Sequence, residues 1–153
     1  MDVYENLKKL KITLPEPPPR GGAYIPINDF GDKFLYASGF GPVKDGQPAY
    51  VGKVGEVSVD YAQEAARLCI INILSAVQKK IGDLNKVKKV VKVLGFVASK
   101  DDFTDQPLVM NAASDLLADV FGEDGQHARS AIGVNVLPKN FTVEIELILE
   151  LKG

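Results

Sequence analysis

The sequence predicts an α+β domain: a mixed β-sheet packed on one side by two helices, in the order β-β-α-β-α-β-β. Three observations carry that prediction. Residues 60–81 place Ala62, Ala65, Ala66, Cys69, Ile70, Ile73, Ala76 and Val77 at helical spacing. Residues 141–151 alternate strictly, with Phe141, Val143, Ile145, Leu147, Leu149 and Leu151 on one side and Thr142, Glu144, Glu146 and Glu150 on the other. Strand-like and helix-like stretches alternate between these two, which is how helices come to lie on a sheet. With 153 residues the chain is one domain's worth. Residues 21–153 are read as that single domain and residues 1–20 as an N-terminal extension.

The elements follow in order. Residues 5–11 read as a short helix or turn with Leu7, Leu10 and Ile12 as its apolar positions. Pro15-Glu16-Pro17-Pro18-Pro19 cannot be helix or central strand, so it is an extended connector. Strands are expected at 24–28 and 34–38, joined by a turn at Gly31 as an antiparallel hairpin. Residues 39–55 form a glycine-rich loop long enough to suggest a functional or interfacial role, with a short ribbon around Ala49-Tyr50-Val51. The long helix is capped by Asp60, with Gln63 completing a capping-box pattern, and ended by Gly82. Valine-rich residues 87–98 are a strand. Residues 108–121 are the second helix, with Thr104 or Asp105 as its cap and Pro107 in the first turn. Strands at 128–137 and 141–151 close the chain.

The turn Pro138-Lys139-Asn140 is short, so these last strands are expected to pair with each other. Val136 then faces Val143, and Glu144 faces Asn135. Ser130, Ile132, Val134 and Val136 share one face of the earlier strand. Ala131, Gly133 and Leu137 are expected on the same side as the glutamates. A mixed face of that kind, left uncovered by helices, is a natural oligomer surface.

Composition narrows the function. Apolar residues make up 46%, charged residues 25%, and the net charge is -2, so no broad basic field is present for nucleic acid. The densest basic group (Lys79, Lys80, Lys86, Lys88, Lys89, Lys92) reads as solvated lysines around a helix end and a strand start. The single cysteine, Cys69, lies in the apolar stripe and reads as a core thiol. The polar start and the lack of a long apolar run point to a cytoplasmic protein with no membrane partner. Gly39-Phe40-Gly41 and Gly52-Lys53-Val54-Gly55 lack nucleotide-binding spacing. His127 stands alone without ligand-spaced acids, so no metal site is expected.

Two side chains invite chemistry. Arg129 begins a strand after a glycine-containing turn; it is either a bidentate grip for a carboxylate or a surface ion pair. Glu144 is either a proton-transfer or water-orienting group or a solvated strand glutamate. In the expected hairpin, Arg129 lies six residues from the partner of Glu144, roughly 20 Å at strand rise. A site using both therefore requires a neighbouring subunit.

Ala128-Arg129-Ser130-Ala131-Ile132-Gly133-Val134, Leu137-Pro138 and Val143-Glu144-Ile145-Glu146 resemble the signature of the reactive intermediate deaminase (Rid, or YjgF-type) family. Asp102-Phe103, Asn111 and Ser38-Gly39 match other recurring positions, and the resemblance spans residues 21–151. The N-terminal residues and the 39–55 loop resemble a longer subgroup. The resemblance implies a YjgF/chorismate mutase-like fold and a homotrimer with a barrel-like core of inward-facing sheets. It implies clefts between subunits and cofactor-free hydrolysis of small imines or enamines bearing a carboxylate, giving 2-oxo acids and ammonia. Carried over residue by residue, Arg129 grips the carboxylate and Glu144 positions the water. Tyr24 forms the cleft wall, Ser38 and Gly39 supply a hydroxyl and backbone groups, and Asn111 lies near the pocket. Ala131 stands where short members often carry cysteine, Phe40 where they carry glutamine, and Gly133 and Val136 where they carry glutamate and arginine. The first two of these changes make the cleft neighbourhood more apolar. Alternatives are a non-catalytic trimer that binds a small carboxylate metabolite and, with less support, an endoribonuclease of the kind some members were described as.

Overall fold

The computed structural model describes residues 1–153. Helix α1 spans Val3–Lys9, strand β1 Ile27–Phe30, β2 Phe34–Phe40, β3 Val43–Lys44, β4 Gln47–Pro48, helix α2 Val59–Ile81, β5 Val87–Ala98, α3 Gln106–Phe121, β6 Ala128–Val134 and β7 Val143–Leu151. The predicted α+β fold is present. Five strands form a mixed sheet in the order β1-β2-β7-β5-β6, and β3 and β4 form a separate ribbon in the long loop. Helices α2 and α3 bury their apolar stripes on one face. Ile70, Ile73, Leu74, Leu116 and Leu117 meet Val143, Ile145, Leu147 and Leu149 in one core. No helix is long and apolar enough to cross a membrane.

Local chemistry explains most boundaries. Ser58, rather than Asp60, caps α2: its side chain accepts from the Tyr61 backbone N–H. Gly82 ends α2 in the left-handed region at φ 82°. Asp105 precedes α3, but its side chain makes no capping bond; Pro107 occupies the first turn, where its missing N–H costs nothing. The first strand begins later than expected, at Ile27, and leaves Tyr24 outside the sheet. The ribbon forms at residues 43–48 rather than around Tyr50. Helix α1 buries Val3 and Leu7 in the common core, and its Asn6 Nδ2 donates to the Val120 carbonyl at 2.9 Å.

The expected pairing of the last two strands does not form. β6 pairs in parallel with β5, Arg129 opposite Val93, whereas β7 lies between β2 and β5. The reason is the crossover. Parallel neighbours need a long connection, and α3 supplies one between β5 and β6. Pro138–Asn140 then carries the chain away from β6, with Lys139 and Asn140 both at positive φ.

The face assignment changes with it. Arg129 is level with Val93 and Leu147, both buried under the helices. Gly133 is level with Val97 and Val143, and a Cβ on it would approach the α3 residue Gln106. Arg129, Ala131 and Gly133 therefore face the helices. Ser130, Ile132 and Val134 share the uncovered face with Glu144 and Glu146, together with Leu94, Phe96, Tyr36 and Ile148.

Candidate functional site

The sequence-selected residues fall into two groups, one on the β1-β2-β7 side of the sheet and one at its β6 edge. The first lines a cleft of about 1080 Å³ between the 18–26 segment, the end of β2, β7 and the 138–141 turn. Tyr24, Ser38, Gly39 and Glu144 all line it.

A β-bulge builds the centre of this cleft. Between Ala37 and Phe40, β2 advances three residues while β7 advances only two, from Leu147 to Ile145. The extra residue turns Ser38 and Gly39 out of regular alternation, as bulges do beside many sites. Gly39 is needed here for space: a Cβ on it would lie 2.7 Å from Glu144 Oε2. The Glu144 carboxylate thus lies directly over the bulge backbone. Gly41 likewise gives way to the ring of Phe141.

Glu144 is half-buried. Burial raises its carboxyl above the ordinary value, and the negative charge of Glu146 adds to the effect. No hydrogen bond offsets either cause. Glu146 instead accepts from Tyr36 Oη at 2.9 Å, which with burial pushes the Tyr36 phenol up.

The wall is tied to the bulge. Ser38 Oγ donates to the Ile25 carbonyl at 2.7 Å, and Ser38 N to the Pro26 carbonyl at 2.9 Å. The Ser38 hydroxyl proton is therefore committed to the wall, and its oxygen lone pairs remain to receive a hydrogen bond. Tyr24 is 43% exposed; its Oη accepts from Gly21 N, and its carbonyl accepts from Arg20 Nη1 at 3.3 Å.

The second group is at the β6 edge. Arg129 Nη1 donates to Asn111 Oδ1 at 3.0 Å and to Ser114 Oγ at 3.1 Å. Asn111 and Ser114 lie one turn apart on α3 and so present both acceptors on one face. Ser114 Oγ also lies 2.9 Å from His127 Nε2. Arg129 and Glu144 do not meet within the chain. They are two strands and three residues out of step, about 10 Å along and about 10 Å across, on opposite faces.

Sequence reading missed Tyr36, Glu146, Ser114 and His127. Spacing held a signal for two of them: Ser114 is three residues beyond Asn111 on a helix, and His127 precedes Arg129 by two, the strand period. No group of three or more His, Cys, Asp or Glu side chains converges in the chain to hold a metal ion. Cys69 is fully buried beneath the Val143 carbonyl, and burial pushes its thiol well up, as suits a core thiol.

Comparison with known proteins gives a consistent result. The family model described as "YjgF/chorismate mutase-like, putative endoribonuclease" matches residues 6–151. Protein TCP17 of Trypanosoma cruzi is 40% identical over 153 residues, covering 99% of this chain and 95% of that protein. The crystal structure of a protein of unknown function from Agrobacterium tumefaciens is 45% identical with a TM-score of 0.91, covering 98% of this chain and 92% of the other. A Shewanella oneidensis structure described as a "putative endoribonuclease" is 28% identical with a TM-score of 0.94, covering 99% and 100%. The alignments therefore extend into the N-terminal 20 residues.

Proposed function

The chain belongs to the YjgF/chorismate mutase-like family, and from that premise we propose that it is a cofactor-free hydrolase of small imines or enamines bearing a carboxylate. It acts as a homotrimer whose clefts are shared between subunits. One observation carries the reading: the cleft that gathers Tyr24, Ser38, Gly39 and Glu144 does not include Arg129, which is held by Asn111 at the β6 edge on the other face of the sheet. Each margin completes the other only when two copies meet. The uncovered sheet face supplies a reason to meet, since Leu94, Phe96, Ile148 and Ile132 (45% exposed) lie on it without helices above them.

The chemistry follows from the groups present. Arg129 holds the substrate carboxylate through a bidentate fork and fixes the imine carbon against the bulge. Water attacks that carbon while Glu144 takes one of its protons. The carbinolamine so formed from the protonated imine needs a further proton on nitrogen before ammonia departs; the protonated Glu144 returns the one it took, and as the C–N bond breaks its regenerated carboxylate accepts the hydroxyl proton and passes it to solvent. A carboxyl raised above its ordinary value by burial suits a group that must both accept and give. The products are the 2-oxo acid and ammonia. Ser38 Oγ and Tyr24 line the pocket beside the reacting carbon.

A non-catalytic reading has one observation in its favour: Phe40, which ends the bulge, is buried in the core and supplies the cleft no polar side chain to assist water. In that case the same trimer binds a carboxylate metabolite without turnover. An RNA substrate fits less well, because Glu144 and Glu146 offset the two cations of the cleft, Arg20 and Lys139, and the chain carries a net charge of -2.

The deciding experiment generates 2-aminoacrylate in situ and follows 2-oxo acid release by wild type, Arg129→Ala and Glu144→Ala. Enzyme-dependent release lost in both variants supports hydrolysis. Carboxylate binding without release leaves the binding trimer, and RNA cleavage lost in Arg129→Ala restores the nuclease. A monomeric mass in solution removes the shared cleft.

A further inference from the structure

When the His127 ring is neutral, the hydrogen bonds behind Arg129 run in one direction. The Gly125 carbonyl can only accept, and it lies 2.6 Å from His127 Nδ1, so that nitrogen carries the proton. In the neutral ring Nε2 is then bare and can only accept. The nearest donor is the Ser114 hydroxyl at 2.9 Å. With its proton given to His127, the Ser114 oxygen is an acceptor, and Arg129 Nη1 donates to it at 3.1 Å. The second hydrogen of Nη1 goes to Asn111 Oδ1 at 3.0 Å.

Both hydrogens of Nη1 are thereby used. The Nε–H and Nη2–H edge remains, and this is the edge that matches a carboxylate in a two-point fork. The relay has a fixed origin. Gly125 closes a tight turn after α3, where a Cβ would lie 2.6 Å from the Leu117 carbonyl carbon, so turn and helix are locked in contact. The acceptor at one end and Ser114 in the middle thus belong to one rigid body.

We propose that His127, as the Nδ1-protonated neutral imidazole, is a positioning residue: through Ser114 it fixes Arg129 with its Nε/Nη2 edge offered to a substrate carboxylate. This deepens the proposed function and rests on Arg129 being the carboxylate anchor. Burial pushes the His127 imidazole below its ordinary value, and the charge of Arg129 acts in the same sense against the opposing Gly125 bond. The neutral form is therefore the one that holds Arg129 at neutral pH.

His127 is the single histidine of the chain, which makes the test direct. Long-range ¹⁵N–¹H spectra of the intact protein at neutral pH should show Nδ1 protonated and Nε2 bare. Pyruvate serves as the carboxylate probe. His127→Leu and Ser114→Ala should weaken its binding about three- to tenfold, with unchanged thermal unfolding in at least one of them. His127→Gln, whose amide oxygen can accept from Ser114, should restore affinity. In the imine assay the weakened variants should raise KM and leave kcat within about twofold. A ring protonated at Nε2, or wild-type pyruvate affinity in a folded Ser114→Ala, overturns the proposal. If wild type neither binds pyruvate nor hydrolyses imine, the functional reading fails. The ring tautomer, and its loss of the Ser114 bond in Ser114→Ala, then still decide the relay.

Discussion

The two margins of the sheet treat their charges in opposite ways. At the β6 edge, Arg129 is held by Asn111 and Ser114, with His127 behind. At the cleft margin, Glu144 is half-buried over Gly39, beside a second carboxylate, with no donor of its own. One margin fixes a cation that has to recognise a shape. The other keeps an acid under-solvated so that it exchanges a proton readily. Binding groups gain from rigid support, whereas proton-transfer groups gain from an environment that disfavours their charge.

The sharpest way to break this division is to separate the margins onto different chains. Arg129→Ala and Glu144→Ala should each lower kcat/KM by at least about 100-fold. Co-refolded as an equal mixture, they should recover up to about a quarter of wild-type activity, the fraction of interfaces that pair an intact Arg129 with an intact Glu144. No recovery in mixed assemblies would place both residues in one subunit's site or in none.

Next in size is the bulge. Gly39→Ala puts a methyl 2.7 Å from Glu144 Oε2. It should displace the carboxylate and remove most of the activity at little cost in stability, read by the imine assay and thermal unfolding together. The equivalent crowding at the other margin, Ala131→Val on the helix face, should lower stability with less effect on turnover.

Glu144 itself gives a pH-dependent prediction. Its carboxyl is raised in the folded chain, by burial first and Glu146 second, so the folded state binds this proton more tightly than the unfolded one. Stability therefore falls as pH rises from the ordinary carboxylate value through the raised one. Glu144→Gln should raise Tm at neutral pH, a gain that vanishes below about pH 4, even as activity disappears. An unchanged or lower Tm at neutral pH would mean that the acid is not strained by its site.

The smallest expected effect lies away from both margins. Ser58→Ala removes the α2 cap and should cost about 0.5–2 kcal/mol while leaving kcat/KM unchanged. A large fall in turnover would tie α2 to the cleft more closely than the division allows.

Much of this was legible in the sequence. The stripe from Ala62 to Val77 and the alternation from Phe141 to Leu151 are repeats of covalent origin, set by the periods of helix and strand. They identified the long helix, the last strand and the core between them, whereas the pairing of Arg129 with Glu144 came from the family resemblance. The bulge at Ser38–Gly39 was not legible, because nothing local distinguishes an extra residue that only a partner strand reveals. The relay from His127 was hidden for the same reason, since its middle member comes from α3.

Sequence alone therefore determined which residues share a side of each element, because side-chain direction follows from backbone geometry. It did not determine which side is covered or which strands are neighbours. The β6–β7 hairpin was a reasonable local inference from Pro138-Lys139-Asn140. Only the tertiary structure put β6 beside β5 and turned Arg129 towards α3. Strand pairing is a competition among distant segments for the same backbone hydrogen bonds, and its outcome depends on where the whole core is buried.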